Sequence, residues 1–294
     1  MNENQQKEEL KSIQTPLEIF LWEAFLFCLT LGLGIAAAFR ISKPPPNFGG
    51  GQKITIPQIS FWNFILNFLL ATLFILLIIK FVKFKIGRVI IFKILFVLTF
   101  FLGGATLLSL WLPDSISLIL LAILIFWWLK WPSVLNQDIL MIFGMAGVGS
   151  FLGLSITSEI IIFLLIIFSI YDFIAVYKTK HMVEMAKEMI ESRAILALVI
   201  PPSIFGFKES LEKIQPGGKF LILGGGDIIF PLLFAVSLIP YGILNSIIVA
   251  IFSLAGLFVG FYIFTHQKVR QPIPALPPIA LFSIIGYLIT KFVL

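Results

Sequence analysis

The feature that most constrains this chain of 294 residues is the recurrence of long apolar runs, many of 18 residues or more. Runs of that length are typical of transmembrane helices, whereas a membrane barrel would alternate apolar and polar residues over strands of about ten residues. Only 12% of the residues are charged and 59% are hydrophobic, whereas soluble domains carry about 25% charged residues. The sequence therefore predicts an all-α polytopic membrane protein.

Hydropathy predicts nine transmembrane helices, with ends that are uncertain by a few residues. The predicted spans are Glu18–Phe39, Phe61–Val82, Val89–Leu112, Ser115–Trp131, Ile139–Ile156, Ser158–Tyr177, Lys219–Pro240, Ile243–Thr265 and Ala275–Leu294. With this topology, 16 Lys and Arg residues lie on one side of the membrane and four lie on the other. Because basic loops stay in the cytoplasm, we expect a cytoplasmic N-terminus, an extracellular C-terminus and a location in the cell membrane.

Two further features follow from this topology. The net charge of +6 reflects basic cytoplasmic loops, so we expect no nucleic-acid partner. The longest loop, residues 178–218, contains a segment, Met182–Val199, with apolar residues at helical spacing. We interpret that segment as an amphipathic helix at the membrane interface, and a simple connector is the alternative.

Fifteen acidic residues are few enough to place one by one. Most lie in the polar tail, in the long loop or at span ends such as Asp138, where water is expected. Glu23, Asp172 and Asp227 remain inside the hydrocarbon, where a charged side chain costs about 2.5–3.5 kcal/mol on insertion scales. Such residues are candidates for function. Glu23 is close enough to the interface that we interpret it as structural or snorkelling, with a functional role as the alternative.

Asp172 and Asp227 are expected at similar depth on successive antiparallel spans. Asp172 lies ~9 Å from the cytoplasmic end of span six, and Asp227 lies ~12 Å from that of span seven, at the helical rise per residue. If packed together, one carboxyl would stay ionised and the other protonated, which is the arrangement of an aspartic-protease pair. A proton or ion relay in a secondary transporter or cation channel would explain the same pair.

The backbone around these aspartates is also unusual for a membrane span. Gly224-Gly225-Gly226 precedes Asp227, and three glycines weaken a helix, with small-residue helix packing as the alternative explanation. Span nine opens with four prolines between Pro272 and Pro278, which predicts extended backbone there rather than a regular helix start. Non-helical backbone at membrane depth is tolerated beside protein or a wet cavity.

Three short motifs then resemble a known family. Tyr171-Asp172, Gly224-Gly225-Gly226-Asp227 and Pro274-Ala275-Leu276 are similar to the YD, GxGD and PAL motifs of the presenilin and signal peptide peptidase family, on spans six, seven and nine. The chain looks most like a compact archaeal-type presenilin homologue. The resemblance implies one membrane-embedded domain, residues 1–294, in which residues 1–156 form scaffold helices and residues 157–294 carry the catalytic helices.

The resemblance also implies an intramembrane aspartyl endopeptidase that cleaves peptide bonds within transmembrane segments. Asp172 and Asp227 would be the catalytic pair. Tyr171 and the glycines Gly224, Gly225 and Gly226 would shape the active site, and Pro274, Ala275 and Leu276 would bind substrate backbone. Expected substrates are single-span membrane proteins or remnant signal peptides within the lipid bilayer, with no obligatory accessory subunits.

Departures from the family pattern leave substrate preference open. Gly225 occupies the position where presenilins usually carry Leu, and Pro231 resembles the signal peptide peptidase branch. The predicted orientation matches presenilins and favours substrates with an external N-terminus, while the loop 178–218 is short beside the one in which eukaryotic presenilins are autocleaved. Only two histidines occur, His181 and His266, both outside the spans, so we expect neither a serine–histidine dyad nor a metal or cofactor.

Overall fold

The computed structural model describes residues 3–43, 59–81, 85–178, 187, 189–191, 195–215, 218–267 and 271–293. This part of the chain is mostly helical. Its longer helices are α1 (Glu3–Ser42), α2 (Phe61–Phe81), α3 (Lys85–Ser109), α4 (Asp114–Lys130), α5 (Val134–Ser155), α6 (Ser158–Tyr177), α7 (Gly225–Ser237), α8 (Ile243–Thr265) and α9 (Leu276–Val293). Between α6 and α7 lie two short strands, β1 (Ala197–Ile200) and β2 (Leu221–Gly224), and 3-10 turns at Ile204–Lys208 and Leu211–Lys213.

Several helices are long and apolar enough to cross a membrane. Within the described residues, four meet this criterion by length and composition: Pro16–Ser42, Val134–Ser155, Ser158–Tyr177 and Ile243–Thr265. Shorter apolar helices are Lys93–Ser109, Gly225–Tyr241 and Leu276–Phe292. Large apolar side chains are exposed along α1, α2, α4, α6 and α8, as expected for surfaces that face lipid. The number of crossings and the orientation of the termini stay predictions.

The predicted span boundaries agree with the helices in most places. Helices α6 and α8 begin and end at the residues predicted for spans six and eight, and α1 contains the first predicted span but continues back to Glu3. The prediction for Lys219–Pro240 was wrong in its first part, because Leu221–Gly224 forms strand β2 and the helix begins at Gly225. Residues Leu221–Gly224 pair with β1 instead, and the helix begins at the second of the three glycines.

The predicted amphipathic helix Met182–Val199 was also wrong at its C-terminal end. Lys187 and Met189–Glu191 are helical, but Ala197–Ile200 is strand β1. Residues 179–186, 188 and 192–194 lie outside the described part of the chain, as does most of the predicted external linker Lys43–Lys53. The segment Ala197–Ile200 is fully buried, so its aliphatic side chains suit a buried strand as well as a helix.

The centre of the fold is helix α5, which packs against α1, α3, α7 and β1. Close approach of α3 and α5 depends on glycine, because a Cβ built at Gly103 would overlap the backbone carbonyl of Gly144. The buried core runs through α1, α3, α5, α6, β1, β2 and α7. Helix α5 is therefore the support on which both the hairpin and the start of α7 rest.

Polar side chains at the start of α5 hold the strand that follows the long loop. The Val199 N–H donates to Oδ1 of Asp138 over 2.8 Å, and the amide of Gln137 donates to the Ile195 carbonyl. Gln137 also accepts a 2.9 Å hydrogen bond from the indole N–H of Trp128. The expectation that Asp138 meets water at a span end was wrong, since its side chain is 1% exposed. It is buried because β1 packs over the end of α5.

The hairpin places the first turn of α7. Strands β1 and β2 are antiparallel, with Ala197 opposite Gly224 and Ile200 opposite Leu221. The pairing continues one residue further, where the Gly225 N–H donates to the Leu196 carbonyl over 3.1 Å. Asp227 therefore follows within the first turn of a helix whose start is fixed by strand pairing.

Candidate active site

Two buried aspartates lie on neighbouring helices. Asp172 is in the last half of α6 and Asp227 is in the first turn of α7, and the two helices pack against each other. Their side chains are 5% and 8% exposed. The carboxyl of Asp227 interacts electrostatically with that of Asp172. From their depth along the spans, the two carboxyl groups were predicted to lie at one level in the membrane. The structure places them on helices that pack against each other.

The segment before α9 contacts Asp172 directly. The Leu276 N–H donates to Oδ2 of Asp172 over 3.4 Å. Leu276 is the first residue of α9, so its N–H is one of the donors that the helix itself leaves unpaired. Oδ1 of Asp172 is also buried, and it has no hydrogen-bond partner within the described part of the chain. One carboxyl oxygen is therefore held by the Leu276 N–H, and the other is buried without a partner in the described part of the chain.

The proline-rich start of α9 only partly follows the prediction. Pro272 and Pro274 precede the helix in non-helical backbone, as expected. Pro277 and Pro278, however, lie inside the first turn of α9. Proline is tolerated there because the first-turn N–H groups have no partner within the helix. Pro274 and Leu276 are buried and Ala275 is half-buried, so this segment is packed into the protein.

The three glycines before Asp227 differ in their surroundings. A Cβ built at Gly224 would lie 2.9 Å from Oδ2 of Asp227. A Cβ at Gly225 would lie 2.9 Å from the Leu196 carbonyl oxygen. At Gly226, which is exposed, the nearest atom is 3.8 Å away on the Phe230 ring. A side chain would therefore meet backbone at Gly225 and displace the Asp227 carboxyl at Gly224, while Gly226 leaves open surface beside Asp227.

The side chain of Tyr171 is not buried with the two aspartates. Its side chain is 53% exposed on α6, although the adjacent Asp172 points inward. A role in shaping the site stays a prediction. It would require that the exposed side of Tyr171 faces a bound substrate.

A third buried carboxyl, on α1, also lies near the pair. Glu23 is 4% exposed, its Oε2 has no hydrogen-bond partner among the described residues, and it interacts electrostatically with Asp227. The snorkelling interpretation was therefore wrong. Helix α1 packs against α7 and β1. Its presence in the hydrocarbon was visible in the sequence, but its nearness to Asp227 required the packing of α1 to be known.

Sequence reasoning missed Ser169. Its Oγ is buried without a partner in the described part of the chain. Ser169 is three residues before Asp172, so both side chains lie on one face of α6. The sequence could have indicated Ser169 as a candidate site residue, because it is polar and lies one helical turn before an intramembrane acid.

These groups can perform acid–base chemistry on a bound peptide. The pair offers two carboxyls in a buried site, with one carboxyl oxygen unpaired and open surface at Gly226. Within the described residues, no three His, Cys, Asp or Glu side chains are grouped so that they could hold a metal ion.

Comparison with known proteins gives the family to which the chain is similar. The sequence profile described as signal-peptide peptidase, presenilin aspartyl protease matches residues 25–294. A solved structure of a presenilin family intramembrane aspartate protease, in a C222 crystal form, is similar with a TM-score of 0.60 and 21% identity, and the match covers 92% of this chain and 95% of that one. A second, in a P2 crystal form, has a TM-score of 0.56 and 23% identity, covering 90% and 96%. No match was found among curated proteins.

Proposed function

The chain belongs to the signal-peptide peptidase, presenilin aspartyl protease family, a family of aspartic endopeptidases, and we propose that it hydrolyses peptide bonds within transmembrane segments of membrane proteins. Asp172 and Asp227 are the proposed catalytic pair. The observation that carries this proposal is the burial of both carboxyls on two helices, α6 and α7, that pack against each other.

In the proposed mechanism, the two carboxyls hold one proton between them and a water molecule is the nucleophile. The ionised carboxylate takes a proton from the water as it attacks the scissile carbonyl carbon, and the protonated carboxyl donates to the carbonyl oxygen. The resulting tetrahedral intermediate breaks down when a proton passes to the leaving amine. The Leu276 N–H supports this chemistry because its hydrogen bond fixes the orientation of the Asp172 carboxyl.

Substrate backbone is proposed to bind in an extended conformation next to the aspartates. A peptide bond within a helix is shielded, so the cleaved segment must unwind locally. Pro274 and Ala275 precede α9 in non-helical backbone, and in the described part of the chain β2 pairs only with β1, which leaves its second edge for another strand. Tyr171 and Gly226 are proposed to face this substrate, and Gly224 and Gly225 to let β2 and α7 meet at Asp227.

The expected substrates and location follow from the membrane setting. The family and the apolar helices indicate a multi-pass membrane protein. We propose that it resides in the cell membrane with a cytoplasmic N-terminus and an extracellular C-terminus, that it acts on single-span proteins or remnant signal peptides, and that it needs no accessory subunit. A transporter or channel function has no support from the family or from the fold.

The experiment that tests this function uses the full chain in liposomes with a single-span substrate. We expect two fragments whose masses locate the cut inside the hydrophobic segment. A cut only in the flanking polar regions would contradict intramembrane proteolysis. Proton or sodium flux across the same liposomes, without fragments, would instead indicate the transporter.

A further inference from the structure

A basic cavity lies at the end of α4, away from the aspartates. Its volume is about 420 Å³, and Lys93 of α3, Lys130 of α4 and Lys208 of the segment after β1 line it together with the hydroxyl-bearing Ser133 and Ser210. These five residues define the basic pocket. Glu212 also lines it and is the one acid among its lining residues, so three lysines and one carboxylate give a formal charge of +2.

The walls of the basic pocket are fixed by backbone pairing between segments that are distant in sequence. Ser133 and Ser210 form an isolated antiparallel bridge. On either side of it, the Val134 N–H donates to the Glu209 carbonyl over 3.0 Å and the Leu211 N–H donates to the Pro132 carbonyl over 3.1 Å. The loop between α4 and α5 is thus joined to the chain that follows β1, and the pocket is preformed.

Both serine hydroxyls can donate hydrogen bonds into this space. Ser133 Oγ accepts from the Asn136 N–H and Ser210 Oγ accepts from the Glu212 N–H. Neither hydroxyl has an acceptor for its own hydrogen in the described part of the chain. Hydroxyl and ammonium donors around one cavity are the groups that recognise a phosphate.

The basic pocket lies where an apolar helix surface ends. Phe126 and Leu129 are exposed on α4, whose apolar sequence ends at Lys130, and the next residue, Trp131, is exposed at the pocket. The Lys130 ammonium lies 4.4 Å from the centre of the Trp131 ring. Tryptophan beside lysine at the end of an apolar helix is typical of the boundary between hydrocarbon and lipid head groups.

We propose that the basic pocket binds the phosphate of an anionic phospholipid, with the acyl chains of that lipid along the exposed apolar side of α4. A positive cavity between membrane helices favours a head group of net negative charge over a zwitterionic one. Free phosphate would share the lysine and serine contacts but would gain nothing from Phe126 and Leu129. The pocket does not contact the aspartates, so this proposal does not depend on proteolysis.

Lipid binding to the full chain in detergent tests the proposal. Phosphatidylglycerol, phosphatidylcholine with the same acyl chains, and inorganic phosphate are titrated separately, and bound lipid is counted by native mass spectrometry. We expect phosphatidylglycerol to bind about tenfold more tightly than phosphatidylcholine. The combined variant Lys93→Gln, Lys130→Gln, Lys208→Gln should lose on the order of 100-fold in affinity for phosphatidylglycerol, at about fivefold for each lysine.

The matched control removes the same charge elsewhere, with Lys43→Gln, Lys178→Gln and Lys291→Gln, and should bind phosphatidylglycerol as the wild type does. Glu212→Gln should bind it more tightly, which tests the pocket even if the triple variant does not fold. Equal loss in the control and pocket variants, or equal binding of the two lipids, would overturn the proposal. Binding of inorganic phosphate as tight as that of phosphatidylglycerol would show a soluble anion site instead.

Discussion

The backbone N–H of Leu276 donates a hydrogen bond to Oδ2 of Asp172 over 3.4 Å, although the two residues are 104 positions apart in the chain. This contact joins the start of α9 to the proposed catalytic carboxyl on α6. It is long for an N–H···O bond, as contacts in substrate-free sites often are before they tighten around a substrate. The Pro274–Leu276 segment is therefore part of the carboxyl's environment as well as a candidate substrate surface.

Removing this N–H should reduce cleavage without preventing folding. Leu276→Pro deletes the donor at a first helical position, where proline is tolerated. A hydrogen bond to a charged group contributes about 1.5–3 kcal/mol, so we expect the rate to fall by about 10- to 100-fold. Leu276→Ala is the control, because it shortens the same buried side chain but keeps the N–H. If both variants lose activity equally, the hydrogen bond has no role beyond packing.

The glycines before Asp227 should not be interchangeable. Gly224→Ala would place a Cβ 2.9 Å from Oδ2 of Asp227, so we expect that carboxyl to shift and cleavage to fall. Gly226→Ala meets nothing closer than 3.8 Å and lies within α7, where Ala is favoured over Gly by about 1 kcal/mol. Melting temperatures in detergent should rise slightly for Gly226→Ala only. A larger loss of stability in Gly226→Ala than in Gly224→Ala would contradict the placement of these backbones.

Asp138 should affect activity through the hairpin. Asp138→Leu would leave the Val199 N–H without its acceptor in a buried strand, at a cost of about 1–3 kcal/mol. We expect faster hydrogen exchange at the β1 amides and a lower cleavage rate, although Asp138 is not part of the aspartate pair. Asp138→Asn keeps a carbonyl oxygen at the acceptor position and should restore both properties. Slow exchange at β1 in Asp138→Leu would show that the strand does not need this contact.

Glu23 should lower the stability of the fold. Its buried Oε2 has no partner in the described part of the chain, and an apolar residue of similar size avoids that penalty. We expect Glu23→Leu to raise the free energy of unfolding by about 1 kcal/mol, read from the thermal midpoint in detergent. Glu23→Gln retains buried polar atoms and should gain less. A lower thermal midpoint in Glu23→Leu would indicate that the carboxyl has a stabilising partner.

The helices could be predicted from the sequence because a long apolar run in a bilayer forms a helix. Ser158–Tyr177 and Ile243–Thr265 have the predicted ends for that reason. The strands could not be predicted, since Leu221–Gly224 continues directly into an apolar helix and a short apolar run does not distinguish strand from helix. Leu221–Gly224 is a strand because it forms hydrogen bonds with β1.

The site could be predicted in part for a similar reason. Scarcity of acids in the hydrocarbon left three candidates, Glu23, Asp172 and Asp227, because each such residue is costly. Depth along the spans and the local motifs then selected the two aspartates. The environments of Asp138 and Glu23 depended on which elements cover them. Strand β1 hydrogen-bonds the first, and the second lies on α1, which packs against α7. Neither contact leaves a periodic pattern in the sequence.

The most direct test of the catalytic pair is cleavage of a single-span substrate by the full chain in liposomes, comparing the wild type with Asp172→Asn and Asp227→Asn separately. Each variant keeps the size of its side chain but cannot hold or transfer the proton. Thermal midpoints near that of the wild type would show that the variants are folded. We predict that both folded variants lose cleavage, whereas wild-type cleavage by either one would contradict the assignment of Asp172 and Asp227 as the catalytic pair.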